Sequence, residues 1–529
     1  MARLGVDFGT TNTVAAVHDR GVLSVVQHQA DTAVGMVVQD VFPSAILIDR
    51  DSDERWFGLE AERRFNQMGT SGRHLFVPSL KRQLHDHADG ETIGDGDGPQ
   101  AYDVADLLTQ FLSTLAASIR QTLNESEPLE TVISWPAHAN GAQRHVTRRA
   151  FRDAGFEVLG SVCEPTAAAI ELCDCLLAAQ RGKTKVQSSA VAVFDLGGGT
   201  FDASVVWIDG HDYTVLASEG VGQLGGDDFD RVLLEMFLAE LGLDPKDIGQ
   251  LTRQALLRHA RAQKETICTG SLKSLFLNPM DFGLDGTPVS VPVEAYCKRL
   301  RPMLKPAVAT LKRVIEAGAA QEPALDPRKA PPARGALTIY LVGGSSKLPL
   351  VAQMVQRAFP RTKIVHSDKP FRSVAMGAAV CAAQRVTYRD VFARHFGLIR
   401  LAEHGQRETF DPIFPAGTPV PRKGEPGLEK VAWYRPMHNL GHLKYLECTT
   451  LGPDGMPAGD VRSWSDILFP YDPSCPLSAP RRDLDVVASE AFAGEPVCEV
   501  YRCDGDGVIT VELKRPSRND SRCYEIYRQ

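Results

Sequence analysis

No apolar run in this sequence approaches the ~20 residues that a helix needs to cross a bilayer. The opening residues, Met1-Ala-Arg-Leu-Gly-Val-Asp7, lack the charged-then-apolar pattern of a secretory signal. Cysteine occurs 11 times, an odd number scattered from Cys163 to Cys523, with no Cys-x-x-Cys and no Cys/His ligand spacing. Neither a zinc site nor a disulfide framework is expected from that distribution. Cys173 and Cys175 read as two faces of one helix rather than a redox pair. Positive charge is not in excess: 58 Lys+Arg against 66 Asp+Glu leave a net charge of −8. That balance argues against nucleic-acid binding through bulk charge. The expected setting is the cytoplasm, with no membrane and no nucleic-acid partner.

What is present is ordinary globular composition, 43% hydrophobic and 23% charged over 529 residues, enough for about three to four domains. To about Gln384 the chain alternates strand-like and helix-like stretches, which predicts an α/β architecture. Strands are expected over Leu4–Phe8, Thr131–Trp135, Ala190–Asp195, Ala203–Ile208 and Leu337–Val342. Helices are expected over Val104–Leu123, Gln143–Ala154, Asp227–Leu241, Tyr296–Ala317 and Leu348–Phe359. Asp86–Gln100, acidic and Gly-rich, lacks calcium-loop spacing and reads as a solvated loop, and the Ala/Pro-rich Ala319–Gly335 reads as a surface insertion. From about Val391 the character changes. Six prolines between Pro412 and Pro436 exclude long helices there, and strand-like runs follow at Leu443–Thr450, Val497–Tyr501 and Val508–Leu513. Asp504-Gly-Asp-Gly507 signals a hairpin between the last two. His438-Asn-Leu-Gly-His442 has no third ligand candidate nearby and reads as ordinary hydrogen-bonding histidines.

Two segments are alike: Asp7-Phe-Gly-Thr-Thr-Asn-Thr13 and Asp195-Leu-Gly-Gly-Gly-Thr-Phe-Asp202. Each starts with a carboxylate at a strand end, continues through Gly and hydroxyl residues, and opens into another strand rather than a helix. A dinucleotide-binding turn or a Walker loop would do otherwise. The implied geometry is a tight hairpin whose glycines bring backbone N–H groups close to an anion. A carboxylate beside such a cradle repels phosphate unless a Mg²⁺ ion sits between them. An ordinary Gly-turn hairpin is the competing reading for either loop alone; two related loops in one chain favour a nucleotide clamp. Leu341-Val-Gly-Gly-Ser-Ser-Lys-Leu-Pro349 is a third, weaker cradle at a strand-to-helix turn.

In this order and separation the three motifs resemble the seventy-kilodalton heat-shock chaperones (DnaK-like), members of the actin and sugar-kinase ATPase superfamily. Ser134-Trp-Pro-Ala137 with Gln143-Arg144, Glu164-Pro-Thr-Ala-Ala-Ala-Ile170, Leu224-Gly-Gly-Asp-Asp-Phe-Asp230 and Val374-Ala-Met-Gly-Ala-Ala-Val380 match further family segments. The resemblance implies a duplicated actin-like (ribonuclease-H-like) ATPase domain over residues 1–386, a short junction over 387–396, and a β-rich sandwich over 397–529 without a helical lid. It implies ATP/ADP and Mg²⁺ as cofactors, with K⁺ as a further ion. Asp7 and Asp195 would contact Mg²⁺ through its waters, and Asp202 would help hold the monovalent cation. Gly9, Thr10, Thr11 and Asn12, with Gly197, Gly198, Gly199 and Thr200, would bind phosphates. Lys81 would position the attacking water, and Glu164 would touch the metal's water shell; taken alone, these read as a solvated helix lysine and a helix-start carboxylate. Lys81, Glu164, Asp195 and Thr200 are thus the catalytic candidates. Gly225, Gly226, Lys264, Gly343, Gly344, Ser345 and Lys347 complete the nucleotide site.

The base end departs from the family pattern. Lys264 is kept, but Arg261 stands where the family has Glu, Glu265 where it has Arg, Cys268 where it has Ser, Lys347 where it has Arg and Phe371 where it has Asp. Ile413-Phe-Pro-Ala-Gly-Thr-Pro-Val-Pro421 resembles the start of the family's peptide-binding sandwich, whereas the leucine-rich linker is replaced by Arg389-Asp-Val-Phe-Ala-Arg-His-Phe396. The expected function is an ATP-dependent chaperone whose slow hydrolysis controls an unfolded or extended polypeptide client, with a co-chaperone as a further partner. Rival expectations are a nucleotide-responsive scaffold for one dedicated partner and a small-molecule kinase on the same core.

Overall fold

A computed structural model describes residues 2–32, 35–68, 73–86, 92–94, 101–126, 128–137, 139–179, 189–269, 272–322, 337–402, 407–422, 424–472, 474–475, 477, 486–487, 492, 494, 496–505 and 507–526. The chain divides into two compact units, Met1–His138 with Val146–Thr387, and Ala139–His145 with Tyr388–Gln529.

The first unit contains one five-strand arrangement twice. Arg3–Phe8, Asn12–Asp19 and Val22–Val25 run as an antiparallel meander, and Leu129–Trp135 and Phe156–Cys163 extend the sheet in parallel on the far side of Arg3–Phe8. Ser189–Leu196, Phe201–Asp209 and Asp212–Val221 repeat the meander, and Leu337–Val342 and Lys363–His366 repeat the parallel extension. The central strands read as apolar runs because both faces are covered: Val193, Phe194 and Leu196 have no exposed surface.

Sequence signals account for the helices around these sheets. In Val104–Leu123 the Asp103 carboxylate caps the Asp106 N–H at 2.8 Å, Asn124 closes the helix in the left-handed conformation, and Leu108, Phe111, Leu112 and Leu115 form the buried stripe. Glu164–Ala179 and Ser373–Ala382 are built from small residues, and the second is buried along its whole length. Their closeness is set by glycine. A Cβ on Gly377 would lie 1.8 Å from the Ala167 carbonyl oxygen, and one on Gly5 would lie 2.1 Å from the Ala379 nitrogen. Cys173 and Cys175 fall on buried and exposed faces of one helix, and none of the eleven cysteines is in a disulfide. The stretches 86–100 and 319–335 lie largely outside the described residues.

In the second unit two four-stranded antiparallel sheets share one core. One has the order Arg407–Phe414, His395–Ala402, Leu440–Leu451, Pro457–Pro470; the other runs Leu428–Tyr434, Val497–Cys503, Ile509–Arg515, Asp520–Glu525. Leu398, Tyr445 and Phe469 from the first meet Tyr501, Val511 and Leu513 from the second, which makes a sandwich. The Asp504–Gly507 turn joins an antiparallel pair, and His442 bonds Asp466 at 2.8 Å. Much of the segment read as a junction is folded into this unit. The Phe392 N–H donates to Thr418, the Val420 N–H donates to Asp390, and Phe392 and Phe396 are core residues. Two phenylalanines four residues apart supply apolar surface that an open linker would leave in water. No helix among the described residues is long and apolar enough to cross a membrane.

Candidate active site

Both Gly-rich loops are hairpin tips, as the sequence implies: Phe8 pairs with Thr13 across the first and Leu196 with Phe201 across the second. Each is braced from behind. The Ser44 hydroxyl donates to the Gly9 carbonyl at 2.8 Å, and the Ser44 N–H donates to the Thr11 carbonyl at 2.9 Å. At the second loop the Gly226 N–H donates to Gly197 at 3.0 Å, the Asp227 N–H to Gly198 at 2.7 Å, and the Ser345 hydroxyl to Gly197 at 2.8 Å. A trans peptide points its C=O and N–H in opposite directions. Tying the carbonyls of Gly197 and Gly198 to the start of the helix Gly226–Leu241 therefore turns the N–H groups of Gly198 and Gly199 away from that helix. The loops come close to each other. A Cβ on Gly198 would lie 2.2 Å from Thr11 Oγ1, and one on Gly199 would lie 2.8 Å from Thr10 Cγ2. Only glycine leaves that gap open.

Four carboxylates converge beside the loops: Asp7 and Asp195 at strand ends, Asp202 across the hairpin from Asp195, and Glu164 at the start of its helix. Lys81, from the short helix Leu80–Asp86, reaches into them and bonds Glu164 at 2.7 Å. Burial works against the Lys81 charge, but Glu164, Asp7 and Asp202 outweigh it and hold the ammonium above the ordinary lysine range. Burial, reinforced by Asp7 and Asp202 and opposed by Lys81, pushes Glu164 up to about 7. Burial and the same crowd of carboxylates push Asp195 well above the usual range. Asp7 is raised by burial, against the pull of Lys81 and of Ser134, whose hydroxyl donates to it at 2.7 Å. So much negative charge beside one ammonium suits an added cation. Among the described residues no three carboxylate, imidazole or thiolate groups converge closely enough to ligate a metal directly. A Mg²⁺ ion that keeps its waters fits this donor set.

A cavity of about 530 Å³ gathers Asp7, Gly9–Asn12, Lys81, Glu164, Asp195, Gly197, Gly198, Thr200, Gly226, Lys264, Gly343–Ser345 and Lys347. Gly199, Asp202 and Gly225 are not on its wall. Asp202 is buried, and Gly225 lies against the second loop, where a Cβ would sit 2.5 Å from the Gly198 oxygen. Lys264 Nζ is tied to the Gly226 carbonyl at 2.8 Å and to Asp230 at 2.7 Å, so it braces the second loop as well as facing the cavity. Arg261 bonds Asp227 at 2.8 Å and Asp230 at 3.2 Å, and the Lys347 ammonium stands 5.2 Å from the Phe371 ring centre. Sequence reasoning missed Ser44, the Asp7 partner Ser134 and the Asp227 carboxylate. Ser134 lies inside a motif already matched, while nothing local marks Ser44, which acts across 31 to 35 residues.

Paired glycine loops at the tips of two equivalent sheets, with carboxylates at the same strand ends, define a protein of duplicated α/β architecture. A family model described as Hsp70 protein matches residues 3–391. The chain belongs to the Hsp70 family. It is 30% identical over 392 residues to chaperone protein HscA of Pectobacterium carotovorum, covering 72% of this chain and 57% of that relative. Against HscA of Yersinia enterocolitica it is 30% identical over 392 residues, with the same coverage. Against an HscA homolog of Burkholderia cenocepacia it is 29% identical over 395 residues, covering 72% and 58%. The chain thus aligns with less than two thirds of the length of these relatives.

Proposed function

We propose that this protein is a DnaK-like chaperone in which slow ATP hydrolysis, in an actin-like module over residues 1–386, controls the hold of the β-sandwich on an unfolded or extended polypeptide. The observation that carries the reading is the Lys81–Glu164 pair at 2.7 Å, set among Asp7, Asp195 and Asp202 beside two braced glycine loops. The backbone N–H groups of the loops and the hydroxyls of Thr10, Thr11 and Thr200 would cradle the phosphates. Asp7 and Asp195 would hold Mg²⁺ through its waters, and Asp202 would help hold K⁺. When bound, Mg²⁺ offsets the repulsion between these carboxylates and phosphate and polarises the phosphate. Lys81, oriented by Glu164, would place the attacking water and stabilise charge on the transferring phosphoryl group. In the sandwich, an extended chain would be held by backbone bonds and apolar pockets, and a co-chaperone would adjust the cycle.

A second reading, a nucleotide-responsive scaffold for one dedicated partner, is favoured by the junction. Phe392 and Phe396 are spent on the sandwich core and so are not available as a docking linker. The experiment is Mg²⁺-dependent ATP turnover by the purified chain, with binding of a panel of unrelated extended peptides in ADP and in ATP. Turnover with several peptides released by ATP supports the chaperone. Turnover with no peptide bound supports the scaffold. Absence of turnover overturns both.

A further inference from the structure

We infer that the outer edge of the strand Leu428–Tyr434 is an association surface for a second copy of this chain, paired antiparallel about Ala432. Among the described residues this strand has one hydrogen-bonding neighbour, Val497–Cys503, so its far side ends the sheet. An open edge is a template for another strand unless proline, a bulge or an inward-pointing charge guards it. Leu428–Tyr434 contains no proline, and it pairs with Val497–Cys503 in unbroken register. Its one inward charge, Lys430, is already matched: the ammonium donates to Asp411 at 3.2 Å and to the Pro412 carbonyl at 2.9 Å. The edge is therefore fit to add a strand.

The outward side chains decide which strand that is. Glu429, Val431 and Trp433 alternate with inward residues, Arg435 follows two positions on, and all four are exposed. Val431 and Trp433 are 47% and 60% exposed, on the same face as Val500 and Cys498 of the neighbouring strand. Acid, aliphatic, aromatic, base is a pattern complementary to itself when reversed. Antiparallel pairing about Ala432 sets Val431 opposite the partner's Trp433 and Glu429 opposite the partner's Arg435. The two-fold axis makes each of those contacts twice. Aromatic with β-branched and acid with base are pairs that stabilise adjacent strands. Centring on Lys430 would oppose two like charges, and centring on Val431 would set Glu429 against Trp433 and Arg435 against Gly427. A one-residue slip would turn the partner's apolar residues to the other face. Glu429 also bonds Arg502 at 3.0 Å, an exposed contact that leaves it half open.

A contact made by one strand of 7 residues falls at the small end of interfaces, below about 1,200 Å², so a reversible equilibrium is expected. The test is sedimentation equilibrium of the full chain between about 1 and 300 µM, where contacts of that size come apart. The samples are the parent, Glu429→Arg, Arg435→Glu and Trp433→Lys. All three positions are exposed, so the variants should melt with the parent. The parent should pass from monomer to dimer and stop there. Each single variant should weaken the dimer about tenfold or more, because like charges then face each other or a lysine replaces half of the apolar pair. An equimolar mixture of Glu429→Arg and Arg435→Glu should dimerise within about threefold of the parent Kd, since each chain supplies the charge the other lacks. A parent that stays monomeric throughout, or a dimer indifferent to the substitutions, overturns the inference. A mixture that stays monomeric overturns the register and the inference with it. Assemblies larger than a dimer mean head-to-tail pairing on another edge and overturn it as well. If the parent is monomeric while an extended peptide binds and Trp433→Lys abolishes that binding, the edge takes a client strand and the self-pairing is wrong.

Discussion

Replacing Lys81 with Met keeps most of the side-chain volume and removes the ammonium that bonds Glu164. Breaking a buried ion pair often destabilises a protein by about 3–5 kcal/mol, because the remaining charge is stranded. Here the penalty has a ceiling. Glu164 already sits at about 7, and losing Lys81 raises it further. Near neutral pH it escapes its charge by taking up a proton, which keeps the penalty well below that of a stranded carboxylate. In a chain of this size the melting temperature should therefore fall by only a few degrees. The chemistry has no such escape. If Lys81 stabilises charge that develops on the phosphoryl group, single-turnover ATP hydrolysis should slow by about 10²–10³-fold, while ATP affinity changes only a few-fold. Rapid mixing gives the rate and calorimetry the affinity. Hydrolysis at the parent rate, or a loss confined to binding, would refute the role given to Lys81.

Ser134→Ala removes the hydroxyl held 2.7 Å from Asp7; the Mg²⁺ concentration for half-maximal turnover should rise several-fold, and an unchanged titration would count against Ser134 as a positioning residue. Gly377→Ala drives a Cβ to 1.8 Å from the Ala167 carbonyl oxygen; chemical denaturation should show a loss of about 1–3 kcal/mol or more. Arg400→Met strands the fully buried Glu499, which Arg400 bonds at 2.6 Å; the sandwich should lose about 3–5 kcal/mol in the same assay. Burial pushes His28, whose Nδ1 lies 2.8 Å from the Ser118 hydroxyl, down to about 4. The unfolded chain takes up this proton near pH 6.5 and the folded chain only near 4, so stability should fall by about 3 kcal/mol as pH drops through that window. His28→Phe should flatten that part of the melting profile, and an unchanged profile would show that His28 does not carry it.

The parts of this protein that were legible in its sequence are those where local chemistry dictates local shape. Val104–Leu123 could be read because an acidic cap, a 3.6-residue apolar stripe and a closing Asn all lie within the segment itself. The two glycine-rich hairpin loops were legible because tight approach admits only glycine, and the gap that a Cβ on Gly198 would close recurs as a Gly-rich signature. The braces were not legible. Ser44 and Ser345 act on loops 31 to 148 residues away in the chain, and no spacing rule links them. The junction was legible as composition but not as structure. Phe392 and Phe396 suit a docking linker as well as a core, and only the Phe392–Thr418 and Val420–Asp390 bonds decide between them. At the base end the substitutions could be seen, yet their consequence depends on partners: the sequence shows Arg261 but not that Asp227 and Asp230 engage it.

The most direct test of the central claim, that two facing glycine loops clamp a nucleotide with Mg²⁺, is equilibrium titration of the purified chain with ADP, with and without Mg²⁺, for the parent and for Gly198→Val. The valine side chain would occupy the space beside Thr11, where a Cβ already falls 2.2 Å from Oγ1. The account predicts saturable, Mg²⁺-dependent binding by the parent and at least a tenfold loss, about 1.4 kcal/mol or more, in a variant that still melts cooperatively. Absence of saturable binding in the parent, or equal affinity in a folded Gly198→Val variant, would contradict it.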